Sequence, residues 1–184
     1  MYEIEHTSIP GVEILTPKQF KDDRGVFFET YSERGLQEHG IDFTTKQENH
    51  ILNKAKGVIR GLHFQNAPYA QAKIVRCIRG EVDDVAVDLR KGSPTYLQWV
   101  MVTLSAKNQK QLFLPQGFAH GVISRSEISE IQYVADNFFH PEVDRNIAYN
   151  DPVLGIDWKE ENPVLSPKDQ CAPLLKDSDC NFQY

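Results

Sequence analysis

Cysteine is scarce in this sequence, long apolar runs are missing and basic charge is outnumbered, and each shortage excludes a class of protein. The three cysteines, Cys77, Cys171 and Cys180, are an odd number in 184 residues and show no CxxC spacing. That pattern predicts neither a disulfide framework nor a thiolate zinc site, and suits a reducing cytoplasm. Cys77 stands in an apolar, strand-like run and reads as a small buried hydrophobe. No stretch reaches the ~18 apolar residues of a membrane span. The opening Met1-Tyr2-Glu3-Ile4-Glu5-His6 lacks the basic-then-apolar pattern of a secretory leader, so neither export nor membrane insertion is expected. With 20 basic against 26 acidic side chains, the formal net charge is -6. This is the wrong sign for broad contact with nucleic acid, whose phosphates want a basic face. An anionic ligand would have to be held by a local cluster of cations.

What remains is an ordinary globular composition, 40% hydrophobic and 25% charged. The length suits one domain spanning residues 1–184. The dominant period is two. Lys73–Ile78 and Glu81–Leu89 read as two strands around a turn in which Gly80 supplies a positive φ. Leu97–Leu104 is a further strand, and the polar Ser105–Asn108 turns the chain into Gln109–Leu114. His120–Ser124 and Ile128–Ala135, around a turn near Arg125-Ser126, read as another pair. In the first half only Ser32–Glu38 looks helical, with Ser32 as N-cap and Gly40 as the stop. From Asn150 onward, proline and aspartate predict irregular chain or short helices packed on the main body. Many short strands between Gly, Pro and Asn turns favour an all-β antiparallel sandwich or barrel. No repeat, heptad pattern or low-complexity tract is present.

Of six histidines, His6, His39, His50 and His140 stand in polar or loop surroundings. His63 and His120 stand among apolar neighbours, either as satisfied core residues or as working imidazoles. The segment Pro115-Gln116-Gly117-Phe118-Ala119-His120 resembles the second cupin motif, which implies a cupin double-stranded β-helix (jelly-roll) barrel with a few short peripheral helices. A metal-binding cupin would also carry His-x-His and a glutamate in its first motif. Here that motif reads His63-Phe64-Gln65, and an amide is a poor ligand for zinc, iron or manganese. The expectation is a barrel without metal or other cofactor, its histidines free for proton transfer.

Ordered segments then carry a narrower resemblance. They are Asp23–Glu29, Gly57–Gln65, Gln71–Arg76, Asp84–Thr95, Pro115–Gly121, Asn150-Asp151-Pro152 and Leu165–Asp169. Together they resemble the dTDP-4-dehydrorhamnose 3,5-epimerase family over nearly the whole chain. The resemblance implies a dTDP-linked 4-keto-6-deoxy sugar as substrate, inverted at C3 and C5 on the way to dTDP-L-rhamnose. It further implies His63 as base, Asp169 as the carboxylate that orients it, Tyr133 as proton donor and Lys73 as the cation facing the C4 oxygen. Arg24, Arg60 and Lys168 become expected nucleotide contacts, with His120 near the sugar or phosphate. Glu29 and Gln47-Glu48-Asn49 become polar contacts, and Phe139 a ring stacked on the base. The family's following glutamate is matched by Glu142 or, better by spacing, by Asp144. The segment Ile51–Lys56 departs from the serine-rich loop usual at that place.

Each assignment has a structural rival. Tyr133 alternates with Ile131 and Ser129 and could be a core tyrosine, Lys73 could solvate an edge strand, and Asp169 could cap a turn. A 3-epimerase, a 3,4-ketoisomerase and a non-catalytic nucleotide-sugar binder are the competing activities. A homodimer is implied as well, with the N-terminal segment of one subunit reaching toward the other's site.

Overall fold

Alternating patterns become two facing antiparallel sheets in the computed structural model of the protein, which describes residues 2–184. Six strands form one sheet, in the order β1 (Tyr2–His6), β2 (Glu13–Pro17), β10 (Gln111–Leu114), β7 (Lys73–Arg79), β12 (Ser129–Ala135) and β5 (Gln47–Asn53). Five form the other, in the order β13 (Asp144–Asn146), β6 (Ile59–Gln65), β11 (Phe118–Ser124), β8 (Glu81–Asp88) and β9 (Trp99–Ser105). β3 (Gln19–Asp22) and β4 (Gly25–Phe28) make a separate hairpin bonded into neither sheet. This is the all-β cupin jelly roll, with the short helices α1 (Glu33–Gln37) and α2 (Pro167–Gln170) at its periphery.

Three apolar layers follow from the alternation. Val75, Cys77, Leu112 and Ile131 of the first sheet meet Val82, Ala86, Phe118 and Val122 of the second inside the barrel. The outer face of the six-stranded sheet is covered by Leu36, Ile41 and Phe43. The outer face of the five-stranded sheet is covered by the irregular C-terminal segment through Leu154, Ile156, Trp158 and Phe182. Two indoles pin that segment: Trp99 Nε1 donates to the Leu154 carbonyl, and Trp158 Nε1 donates to that of Tyr149. Burial of each such side chain is worth about 1.5–3 kcal/mol.

Several sequence expectations hold in detail. Ser32 caps α1 by accepting from the Gly35 amide, and Gly40 ends the helical segment with φ +76. Cys77 is buried, and burial pushes its thiol up to about 11. The strand expected at Gln109 begins at Gln111, because Gln109 itself takes φ +55 as the end of the turn. The expected pairing of His120–Ser124 with Ile128–Ala135 is corrected by the structure. β11 and β12 lie in opposite sheets, and the turn between them carries the chain across the barrel edge. The Gly80 turn between β7 and β8 does the same, with φ +74. In a jelly roll a tight turn joins sheets as readily as neighbours, and local sequence cannot tell the two apart.

The conspicuous Asp88–Thr95 motif proves to be a lock on a loop. Asp88 is wholly buried and accepts from Arg90 N, Nε and Nη2, Ser93 Oγ and Thr95 Oγ1 at 2.6–3.0 Å. Burial alone would raise its pKa, but these donors outweigh it and hold the carboxyl at about 2. A depressed carboxyl pKa adds stability above the unfolded value, and that increment is lost as pH falls toward 2. Asp88→Asn is therefore expected to cost about 2 kcal/mol or more at neutral pH. In urea melts, the gap between variant and wild type should close between pH 4 and pH 2; a gap independent of pH would contradict the assignment.

Candidate active site

Cross-strand register decides which polar side chains enter the barrel, since directly opposed residues share a face. On the five-stranded sheet, His63 of β6 is opposite His120 of β11, which is opposite Ala86 of β8. Ala86 belongs to the interior layer, so both imidazoles point inward. One step along, Arg60, Val122 and Asp84 form a second inward row. On the six-stranded sheet, Asn49, Tyr133 and Val75 form one inward row, and Gln47, Ala135 and Lys73 the next. The apolar barrel thus has one polar end, with two histidines on one wall and a lysine and a tyrosine on the other.

His63 reaches this place because β6 and β11 approach very closely. A Cβ at Gly61 would lie 2.6 Å from Gly121 Cα and 2.7 Å from the His120 carbonyl, and Gly61 adopts φ +130. Only glycine fits there. The imidazole, 32% exposed, donates from Nε2 to Asp169 Oδ1 at 2.6 Å. Asp169 is carried by α2, whose N-cap Ser166 accepts from the Asp169 amide and donates to Asp169 Oδ2 at 2.8 Å. The Ile59 amide, bonded to the Val164 carbonyl, ties the approach to α2 against β6. Burial opposes charge on Asp169, but the bonds from His63 and Ser166 prevail and keep its pKa below the ordinary carboxylate value. A fixed anion at Nε2 sets the tautomer and leaves Nδ1 as the basic nitrogen.

Opposite stand Lys73 and Tyr133. The Lys73 ammonium lies 5.5 Å from the centre of the Tyr133 ring, and Lys73 has no ion-pair partner among the described residues. Burial lowers its pKa from 10.5 to about 8, against the opposing pull of the Asp84 and Asp144 charges. Lys73 therefore remains mostly charged at neutral pH, although it is only 9% exposed. Burial, with help from the Asp144 charge, raises the Tyr133 pKa and keeps the phenol protonated. Asp84, fully buried, accepts from His120 Nε2 at 2.9 and 3.0 Å. Asp84 escaped the sequence reading because an aspartate within Glu81–Val85 looks like a solvated strand face; its neighbour Asp83 points the other way and pairs with Arg125 and Thr103.

The remaining expected residues divide. Arg60 donates to Asn53 Oδ1 at 2.8 Å within the barrel. Asp144 accepts from Lys168 Nζ, whereas the exposed Glu142 pairs with His140. Gln47 bonds Asn49 Oδ1 and the Phe139 amide, leaving Asn49 Nδ2 buried with no partner. Phe139 is 52% exposed at the mouth. Three residues are not brought to the cleft. Glu48 alternates with Gln47 and Asn49 and so lies on the outer face of the sheet, beside Arg76. Arg24 is 91% exposed at the tip of the β3–β4 hairpin, paired with Asp22. Glu29 follows that hairpin near Tyr2 of β1, and Phe28 stacks on outward-facing Arg76, so the six-stranded sheet separates this segment from its own His63. Gln65 donates to the Tyr69 and Phe138 carbonyls and accepts from the His140 amide, a structural use of its amide.

Comparison with known proteins narrows the chemistry. Residues 6–177 match the dTDP-4-dehydrorhamnose 3,5-epimerase family. The chain is 52% identical over 171 residues to a dTDP-4-dehydrorhamnose 3,5-epimerase of Salmonella typhimurium, a match covering 92% of this chain and 93% of that relative. It is similar, with TM-score 0.94 and 41% identity, to the crystal structure of a dTDP-6-deoxy-D-glucose-3,5-epimerase of Legionella pneumophila in complex with dTDP-4-keto-L-rhamnose; that match covers 100% of this chain and 99% of the other. A 3'-monoepimerase of Streptomyces bikiniensis in complex with dTDP-quinovose is also similar, with TM-score 0.85 and 32% identity over 92% of this chain and 86% of that one.

The buried ammonium gives a direct check. NMR of protein labelled at the lysine side-chain nitrogen should show one group titrating at about 8, absent in Lys73→Arg. Because the Asp84 charge supports the ammonium, Asp84→Asn should move that titration lower still. Titration of every lysine near 10.5 would place Lys73 in water.

Proposed function

The chain belongs to the dTDP-4-dehydrorhamnose 3,5-epimerase family, and on that premise we propose how its own residues invert C3 and C5 of dTDP-4-dehydro-6-deoxy-D-glucose to give dTDP-4-dehydro-L-rhamnose, a step of dTDP-L-rhamnose biosynthesis. The observation that carries the proposal is the placement of an oriented imidazole and a protonated phenol on the inward faces of two facing sheets. The ketone at C4 acidifies the hydrogens on both neighbouring carbons. His63 Nδ1 takes one of them as a proton, and the C–H electron pair moves into the carbonyl to form an enolate. The Lys73 ammonium stabilises the oxygen anion; a preorganised charge of this kind is worth about 3–4 kcal/mol of barrier. Tyr133 then gives its phenolic proton to the opposite face of the same carbon, while the C–C double bond of the enolate supplies the electron pair and the carbonyl re-forms. The imidazolium and phenolate reset by exchange with water, and the second carbon follows the same course.

Asp169 holds the imidazole in its working tautomer and supports the imidazolium as it forms. The orphan Asn49 amide supplies a donor aimed into the cavity, and Arg60 and Lys168 supply cations for the pyrophosphate, with His120 at the sugar end. Guanidinium forks suit two phosphate oxygens at once. Phe139 at the mouth offers a flat face to the thymine. Arg24 and Glu29 cannot reach their own cleft past the six-stranded sheet. In this proposal the chain forms a homodimer in which each exposed hairpin, with Phe20, Val26 and Phe27 bare, reaches the other copy's site. Among the described residues no helix is long and apolar enough to cross a membrane. A cytoplasmic enzyme agrees with three free thiols and a soluble nucleotide-sugar substrate.

Turnover in heavy water tests this chemistry. Deuterium should enter at C3 and at C5 of the sugar, and His63→Ala should lose ~100-fold or more in rate while still binding dTDP. Label at C3 alone would mark a single-carbon epimerase, and no label at either carbon would overturn the proton-transfer reading.

A further inference from the structure

The segment 137–140 carries Phe139 yet belongs to no strand, so its backbone polar groups need partners from elsewhere. They find them in side-chain amides. Gln71 Nε2 donates to the Asn137 carbonyl at 2.8 Å. Gln65 Nε2 donates to the Phe138 carbonyl at 3.1 Å and to the Tyr69 carbonyl at 2.7 Å, and Gln65 Oε1 accepts from the His140 amide at 2.7 Å. Gln47 Oε1 accepts from the Phe139 amide at 2.9 Å. The His140 ring stacks on Tyr69 with centroids 3.9 Å apart, joining the same two loops a second time. Gln65 is only 3% exposed, and both its donor hydrogens are spent on backbone carbonyls.

We propose that Gln65 and Gln71 are positioning residues that hang the Phe139 ring at the cleft mouth and so set affinity for the nucleotide base, without taking part in proton transfer. The inference rests on the reading of Phe139 as the surface on which the base stacks. Strand β6 thereby does two jobs two residues apart. Its inward side chain at 63 is the base, and its amide at 65, where a metal-binding cupin would place a ligand, ties down the segment that grips the nucleotide. A glutamine suits this better than a glutamate, because two of its three partners are carbonyls, which a carboxylate would repel. Gln47 is left out of the test because its other bond, to Asn49, connects it to the substrate contacts.

The separating probe is the ligand with and without its base. Affinities for dTDP and for inorganic pyrophosphate are measured by calorimetry on wild type, Gln65→Met, Gln71→Ala and Phe139→Ala, alongside turnover at saturating substrate. Gln65→Met should weaken dTDP by about tenfold, the loss expected from one to two hydrogen bonds' worth of positioning. Gln71→Ala, at a half-exposed site that tolerates truncation, should weaken it by about threefold. Pyrophosphate affinity and saturated turnover should stay within about twofold in both. The Gln65→Met loss should not add to that of Phe139→Ala in the double variant, because both act through one ring. If Phe139→Ala weakens dTDP while Gln65→Met and Gln71→Ala do not, the positioning role is wrong and the stacking reading stands. If Phe139→Ala leaves dTDP binding unchanged, both fail. Equal loss for pyrophosphate and dTDP would show a general structural effect and overturn the proposal.

Discussion

Inverting a carbon centre requires a proton to leave by one face and another to arrive by the opposite face, and the proposed mechanism houses that two-sided demand between two sheets. A barrel closed by facing sheets gives two walls fixed by many cross-strand bonds. His63 stands on one wall and Tyr133 on the other. Neither loop flexibility nor a hinge is needed to present both to one substrate, because the relative position of the walls is held by the apolar layer from Val75 to Val122. The same layer excludes water from the inner end, and exclusion strengthens the field that each buried charge exerts.

That field is organised around an ammonium placed where it is costly. The charged form of Lys73 would be more stable in water, and burial lowers its pKa accordingly. The Asp84 and Asp144 charges offset part of that cost without forming a direct ion pair, which fits the proposal that the ammonium meets an oxygen anion. Asp84 in turn is anchored by His120, so two imidazole–carboxylate pairs flank the cavity with different tasks. In the His63–Asp169 pair the carboxylate is buried and the imidazole is 32% exposed, an access that fits the proton transfer proposed for it. In the His120–Asp84 pair the imidazole is only 11% exposed, which suits it to holding charge.

How far the sequence disclosed this depended on whether a residue's role was local. Alternation in Lys73–Ile78, Glu81–Leu89 and Ile128–Ala135 marked strands and the face that carries Tyr133. The turns at Gly80 and Arg125 were legible as turns, but their switching between sheets was not, since sheet membership depends on partners far away in the chain. Glu48 fell on the wrong face for a simple reason: a motif read as three adjacent contacts meets the period of two, and only Gln47 and Asn49 point inward. Asp169 carried no local signal, and only the likeness to a known family marked it; the short capped helix and the strand beside it make it a partner of His63. Asp84 stayed hidden because an aspartate within a strand reads as solvated until the opposing histidine is seen.

The two-wall arrangement is tested most directly by removing one proton carrier and following stereochemistry and exchange separately. In Tyr133→Phe, His63 still takes a proton and can return one only to the face it came from. Starting sugar nucleotide recovered from heavy water should therefore carry deuterium with its original configuration, while inverted product falls by ~100-fold or more. Inversion at the wild-type rate in Tyr133→Phe would contradict the account, because the proton would then be arriving from somewhere other than the opposite wall.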